Sequence, residues 1–307
     1  MSTWWLKNRQ RVLQLAGTIL AFSLLILLLK EDGWDDVSIA VQEIKLADLL
    51  WVAVLFLASR IAVIWRWHVF LRSGGINIRF KDSASLTFTG LFASNFLPTT
   101  IGGDVVRLAG AMQMGFDRAV CLASIAADRL TGILGMSMTV PIGLVHAWGL
   151  LKMGSVSFSL IGFMQKPLIF IKRTFATFSI WFKNPISILL ALAFTWIHML
   201  CLFGAIYVFV DDLGSHVSFW MIAGLWSLTY FITLIPISIN GYGVQELSFT
   251  FFMSHIAGLT PAISLTVAVL IRAYFIFSSL PGAFFLPAAL SAMADQKNRA
   301  PSDTVSG

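Results

Sequence analysis

Five apolar runs, residues 12–29, 49–70, 119–148, 185–210 and 262–288, are each about as long as the roughly 20 residues needed to cross a bilayer as helix. Lipid offers no partner for a backbone N–H or C=O. A segment crossing it must satisfy those groups internally, which leaves the helix or the closed barrel. Runs this long and this continuously apolar fit helices. The chain therefore reads as an all-α, polytopic transmembrane helical bundle. Only 12% of its 307 residues are charged, against about 25% in soluble domains. Nothing in that composition suggests a nucleic-acid partner; the expected partner is the bilayer itself.

The N-terminal stretch MSTWWLKNRQR is basic, and the run after it passes directly into Lys30, Glu31 and Asp32. That pattern predicts an uncleaved first span, not a signal peptide. A sixth crossing is expected over 154–171, interrupted by Lys166 and Pro167. Residues 168–184 mix aromatic and basic side chains and predict a segment at the inner interface. With the N-terminus inside, fifteen lysines and arginines fall on the cytoplasmic side, Arg66 and Arg107 among them; only Lys30, Lys45 and Lys152 fall outside. This bias favours six crossings with both termini cytoplasmic. Residues 1–291 form one transmembrane domain, and 292–307 read as a disordered cytoplasmic tail.

Two shorter segments, 84–97 and 217–236, end at Pro98 and Pro236. The first has 14 residues, about 21 Å of helix against a core of about 30 Å, so it is expected to be re-entrant. The two breaks resemble one another. Pro98-Thr-Thr-Ile-Gly-Gly103 aligns with Pro236-Ile-Ser-Ile-Asn-Gly241, and Phe88 and Phe92 align with Trp226 and Tyr230. The charge tally puts the copies on opposite sides of the membrane. The expectation is a pair of repeat-like halves, about 49–148 and 185–288, each with a broken helix, in inverted topology.

Charge at membrane depth marks a candidate site. Arg60, Arg107, Arg129, Arg272, Asp104, Asp128 and Glu246 lie in or beside apolar helices, where each costs about 2.5–3.5 kcal/mol on insertion scales. All four cations are arginine, whose planar fork grips phosphate or carboxylate and keeps its charge when desolvated. Arg107 lies three residues after Asp104 and can pair with it on one helix face. Asp128 and Arg129 are consecutive, point about 100° apart and need separate partners, for which Glu246 and Arg272 are candidates. Gly102 and Gly103 open a helix whose free N–H groups could attract phosphate. Asn240, Gly241 and Gly243 could do the same from the other side, or these residues could simply make turns and caps. The expected binding set is Gly102, Gly103, Asp104, Arg107, Asp128, Arg129, Asn240, Gly241, Gly243, Glu246 and Arg272, with Pro98 and Pro236 as the helix breakers.

Other chemistry has less support. The five histidines show no metal spacing, the two cysteines no disulfide framework, and no nucleotide-binding loop is visible. No metal and no cofactor is expected. His198, alone within a span, reads as a packed or hydrogen-bonded residue. Gly132-Ile-Leu-Gly135 suits close helix packing. Gly241-Tyr242-Gly243 shares three residues with the potassium-filter signature but lacks the Thr-Val before them.

Taken in order, Gly102-Gly103-Asp104-Val-Val-Arg107, Asp128-Arg129-Leu-Thr-Gly132, Pro236-Ile-Ser-Ile-Asn-Gly241-Tyr-Gly243-Val-Gln-Glu246, Arg272 and Pro281-Gly282 resemble the transmembrane domain of lysylphosphatidylglycerol synthases, which also occurs alone in flippase-like proteins. The resemblance implies a bacterial or archaeal plasma-membrane protein with paired re-entrant helices, linked to lipid translocation. The chain shows no soluble aminoacyl-transferase domain, so lipid aminoacylation is not carried over, and 149–185 is shorter than the family's usual span. The leading expectation is a non-enzymatic flippase for an anionic phospholipid or polyprenyl-phosphate lipid. A membrane-embedded transferase or hydrolase acting on lipid-linked sugars is the alternative, with Asp128 or Glu246 as base. Homo-oligomerisation is left open.

Overall fold

The computed structural model describes residues 44–97, 102–153 and 184–285, with six isolated helical positions before them. Most of the 12–29 span, Pro98 and the turn after it, the 154–171 crossing, the 168–183 interfacial stretch and the 292–307 tail lie outside the described residues. Among those described, all regular structure is helical. In chain order the helices are α1 (Leu46–Ser73), α2 (Phe80–Ser94), α3 (Gly102–Gln113), α4 (Arg118–Met153), α5 (Pro185–Asp212), α6 (Phe219–Thr233), α7 (Val244–His255) and α8 (Pro261–Phe277). Four stretches are long and apolar enough to cross a membrane: 46–73, 118–147, 185–212 and 261–285.

Local chemistry sets the ends. The Ser218 and Thr260 hydroxyls accept the N–H of Met221 and Ile263, each at 3.2 Å, capping α6 and α8. Pro185 and Pro261 open α5 and α8, where the missing N–H has no helical partner to lose. Gly214, at φ 73°, turns the chain out of α5. Helix α6 stops at Thr233, three residues before Pro236, whose ring cannot continue the turn.

The two halves share a measure. Helices α1 and α5 have 28 residues each, α2 and α6 have 15, and α3 and α7 have 12. The long pair, α1 and α5, runs antiparallel. Lys45 Nζ meets Asp212 at 2.7 Å where α1 begins and α5 ends, and Ser59 meets His198 at 2.6 Å further along. The Asp212 hydrogen bond and charge raise the pKa of the Lys45 ammonium. On its other face α1 exposes Leu50, Val54, Leu57, Ile61 and Trp65, three to four residues apart, a stripe suited to acyl chains.

Lipid is as apolar as leucine, so helices in it associate by close packing more than by hydrophobic burial. Glycines supply that packing here. A Cβ on Gly103 of α3 would lie 2.2 Å from the Gly90 carbonyl of α2, and one on Gly110 would lie 2.3 Å from Leu86; α2 and α3 thus form a tight antiparallel hairpin. Gly143 of α4 and Gly224 of α6 touch backbone to backbone, with built Cβ distances of 2.5 and 2.3 Å. The Thr139–Ser227 hydroxyl pair at 2.6 Å extends that seam. Gly282, just past α8, lies against the Phe88 carbonyl of α2. Gly135 packs on Thr195 and Met199 of α5, as its spacing predicts.

Gly224→Ala forces α6 away from α4, an overpacking that costs about 1–3 kcal/mol, and is expected to lower the melting temperature of the detergent-purified protein. Gly204→Ala meets only Leu55 at an ordinary 3.6 Å and is expected to melt like the parent. Equal melting of both variants would contradict the α4–α6 seam.

Candidate functional site

Five charged side chains from three helices form an alternating chain. Arg66 of α1 donates Nε to Asp128 Oδ1 of α4 at 2.7 Å, and its Nη1 reaches Thr195 at 3.4 Å. Asp128 Oδ2 accepts from Arg107 Nη1 of α3 at 3.1 Å, and the same nitrogen reaches Asp104 Oδ1 at 3.1 Å. Asp104 Oδ2 then accepts from Arg129 Nε at 2.6 Å. Every oxygen of the two carboxylates is thus engaged by arginine. Small residues make the geometry fit. A Cβ on Gly90 would fall 2.6 Å from the Arg107 stem, and Gly132 faces the Arg66 guanidinium at 3.5 Å. Beneath the chain, Trp67 offers its ring face to the Arg107 guanidinium at 4.0 Å and anchors its own N–H on Ser124 at 3.1 Å.

The four arginine and aspartate positions of α3 and α4 help to wall a cavity of about 280 Å³, lined from α1 to α6 with Gln245 of α7 and Phe275 of α8. Gly103, Asp104, Arg107, Asp128 and Arg129 line it, joined by Arg60, Arg66, His198, Tyr230 and Gln245. Arg107 is 7% exposed, yet its Nε and Nη2 have no hydrogen-bond partner. Arg60 is 5% exposed; its one hydrogen bond, Nε to Ser278 at 2.8 Å, goes to a neutral hydroxyl, and its guanidinium lies over Phe275 at 5.1 Å. Among the described residues Arg60 has no acidic partner. Among the described residues four arginines therefore face two aspartates around the cavity, an excess of two positive charges.

The second break is arranged differently. Asn240, Gly241 and Gly243 all take positive φ, 48°, 73° and 76°, the left-handed region that glycine and asparagine tolerate best. Glu246 Oε2 accepts the Gly243 N–H at 2.7 Å, and Oε1 accepts from Arg272 Nε at 2.5 Å. Arg272 also donates to the Gly241 carbonyl at 3.3 Å and lies 4.8 Å over the Tyr242 ring. The turn and cap roles thus describe this half. The N–H expected to await a ligand is already taken, and the Gly241 carbonyl serves a guanidinium instead of an ion path. Gly102, Asn240, Gly241, Gly243, Glu246 and Arg272 do not line the cavity.

The two clusters correspond by position nonetheless. Asp104 and Glu246 are each the third residue of a 12-residue helix, and Arg129 and Arg272 each the twelfth of the next. Both pairs join Nε to a carboxylate. A hydrogen-bonded path links the breaks: Tyr242 reaches Asn95 at 3.5 Å and Asn95 donates to Ser279 at 2.9 Å.

Several sequence expectations change. Asp128 and Arg129 find partners in Arg66, Arg107 and Asp104, and Glu246 and Arg272 bind each other. The Asp104–Arg107 contact across three residues forms as expected. Arg66 and Arg107, assigned to the cytoplasmic side by the charge tally, are buried. The apolar run 49–70 puts Arg66 within four residues of its end, which reads as the cytoplasmic edge. The helix continues to Ser73, which leaves Arg66 about 10 Å inside it. His198 is hydrogen-bonded, as its setting suggested, but it also borders the cavity.

Residues 14–171 and 158–282 match the family model described as the lysylphosphatidylglycerol synthase TM region. No curated protein matches the chain.

Breaking one partner of a buried ion pair strands the other, at about 3–5 kcal/mol, whereas replacing both costs much less. With Glu246 and Arg272 exposed by only 6% and 12%, Glu246→Gln is expected to lose most of the folded yield and Glu246→Gln with Arg272→Gln to recover part of it. Recovery absent in gel filtration of the double variant would mean that the pair is not coupled.

Proposed function

The chain belongs to the lysylphosphatidylglycerol synthase transmembrane family, and from that premise we propose that it moves an anionic, phosphate-linked lipid headgroup across the bilayer. It is a multi-pass membrane protein of a lipid-related family. One observation carries the finer reading: a cavity within the membrane domain lined by four arginines and two aspartates. Hydrocarbon does not tolerate that excess charge, and an anionic headgroup compensates it.

The route rests on the hairpins. Helices α2 and α6, at 15 residues, reach about 22 Å of a core about 30 Å thick, and each is followed by a 12-residue helix packed beside it. Because Lys45 ties the start of α1 to the end of α5, α2 follows from one end of the long pair and α6 from the other. That supports re-entrant pairs approaching from opposite faces, an inverted repeat with its site between them. Gly103 brings the start of α3 to the cavity, where the helix dipole favours phosphate. In this reading the acyl chains stay in lipid, and both termini are cytoplasmic in a plasma membrane.

Transport without chemistry suits the site better than acid–base catalysis on lipid-linked sugars. A general base must take up the reacting proton, and the carboxylates of Asp104 and of Asp128 are each held between two arginines, whose positive charge makes a carboxylate a poor proton acceptor.

In liposomes carrying a fluorescent anionic phospholipid, the purified protein is expected to expose inner-leaflet label to an external quencher. Arg107→Gln should slow this at least tenfold. Arg79→Gln, which removes an exposed partner of Asp82 outside the cavity, should leave the rate unchanged. Wild-type speed in Arg107→Gln would sink the assignment of the path.

A further inference from the structure

Charge, size and unfilled donors at the cavity narrow the headgroup further, an inference that rests on the translocation reading above. Asp104 and Asp128 cancel two of the four arginine charges through the contacts given above. Among the described residues, the hydrogen-bonding capacity that these contacts leave unfilled lies chiefly on two arginines. Arg60 meets, among the described residues, only the Ser278 hydroxyl and the Phe275 ring, and Arg107 keeps two buried nitrogens without partners there. Both are more than nine-tenths buried, both line the same cavity, and both belong to the residue type whose fork matches phosphate.

A phosphodiester headgroup brings one negative charge and leaves one arginine uncompensated in a medium where that is costly. A zwitterionic headgroup brings none in net, and an aminoacylated one adds cationic amines facing arginine. A phosphate monoester brings about −1.5 to −2 at neutral pH, with three acceptor oxygens. It alone of these matches the excess and can take hydrogen bonds from two guanidinium groups at once. At about 280 Å³ the cavity is at the small end of ligand sites, which suits a bare terminal phosphate better than a phosphate bearing several sugars. We propose that Arg60 and Arg107 form a selectivity site for a lipid phosphate monoester over phosphodiester and aminoacylated lipids.

Competition against a radiolabelled farnesyl monophosphate on the full chain in neutral phosphatidylcholine nanodiscs tests this. Phosphatidylglycerol is expected to compete at least tenfold more weakly than unlabelled farnesyl monophosphate, and lysylated phosphatidylglycerol more weakly still. Arg60→Gln should shrink the monoester–diester gap to under threefold, because among the described residues Arg60 holds no carboxylate that its loss would strand. Arg60→Lys, which keeps the charge, should retain most of the gap. Equal competition by diester and monoester in the wild type would overturn the selectivity while leaving translocation intact. Inorganic phosphate competing as well as the prenyl phosphate would overturn the lipid assignment in favour of free phosphate. A clear monoester preference with no lipid moved in liposomes would uphold the site and overturn translocation.

Discussion

Asp128 sits between Arg66 and Arg107, and the placement of three helices depends on it. A guanidinium in a low-dielectric interior is costly unless a carboxylate stands within hydrogen-bonding reach. Asp128 meets that need for two of them, one from α1 and one from α3. Asp104 continues the same service to Arg107 and Arg129. The contacts are mutual constraints. Arg66 can be buried only because α4 brings Asp128 to it, and α3 can lie against α4 only because Arg107 finds Asp128 there while Arg129 of α4 finds Asp104 in return. The arrangement has an odd member at each end, so it is never neutral by itself.

Close packing makes that chain reachable. Gly90, Gly103 and Gly110 let the two short helices approach until a methyl group would collide, which brings the Arg107 stem across α2 towards Asp128. Gly132 leaves room for Arg66 on the face of α4. Elsewhere the same residue type fastens α4 to α6 and the end of α8 to α2. In lipid, where burial of an apolar side chain gains little, such contacts and the ion pairs they permit hold the bundle together. The exposed stripe on α1 is then the ordinary outer surface of a membrane protein.

The halves show how one plan can be spent in two ways. Each places an acid third in a 12-residue helix and an arginine twelfth in the next helix. In the first half that pair joins a longer network and opens onto a cavity. In the second, Glu246 closes on the backbone of Gly243 and Arg272 on that of Gly241, so the pair braces a left-handed turn. The difference lies in the neighbours. Asp104 has Arg107 one turn along, which Asp128 also holds, while among the described residues Glu246 has only Arg272 and the Gly243 N–H.

Periodicity and apolar length determined the helices by themselves, because lipid permits no other way to satisfy a backbone. The spans expected at 49–70, 119–148 and 185–210 fall within helices 46–73, 118–153 and 185–212. The break at Pro236 was equally legible, since proline and left-handed glycine act locally, and so was the Asp104–Arg107 contact across one turn. Partnership over distance was not legible. Nothing in the order of residues says that Asp128 faces Arg66, 62 positions earlier, and not Arg272. That depends on which faces of α1 and α4 meet. The same folding decided that Arg60 stands without a carboxylate among the described residues and that Glu246 turns towards the backbone of Gly243. A charge in a sequence announces its cost; only the packed helices decide what answers it.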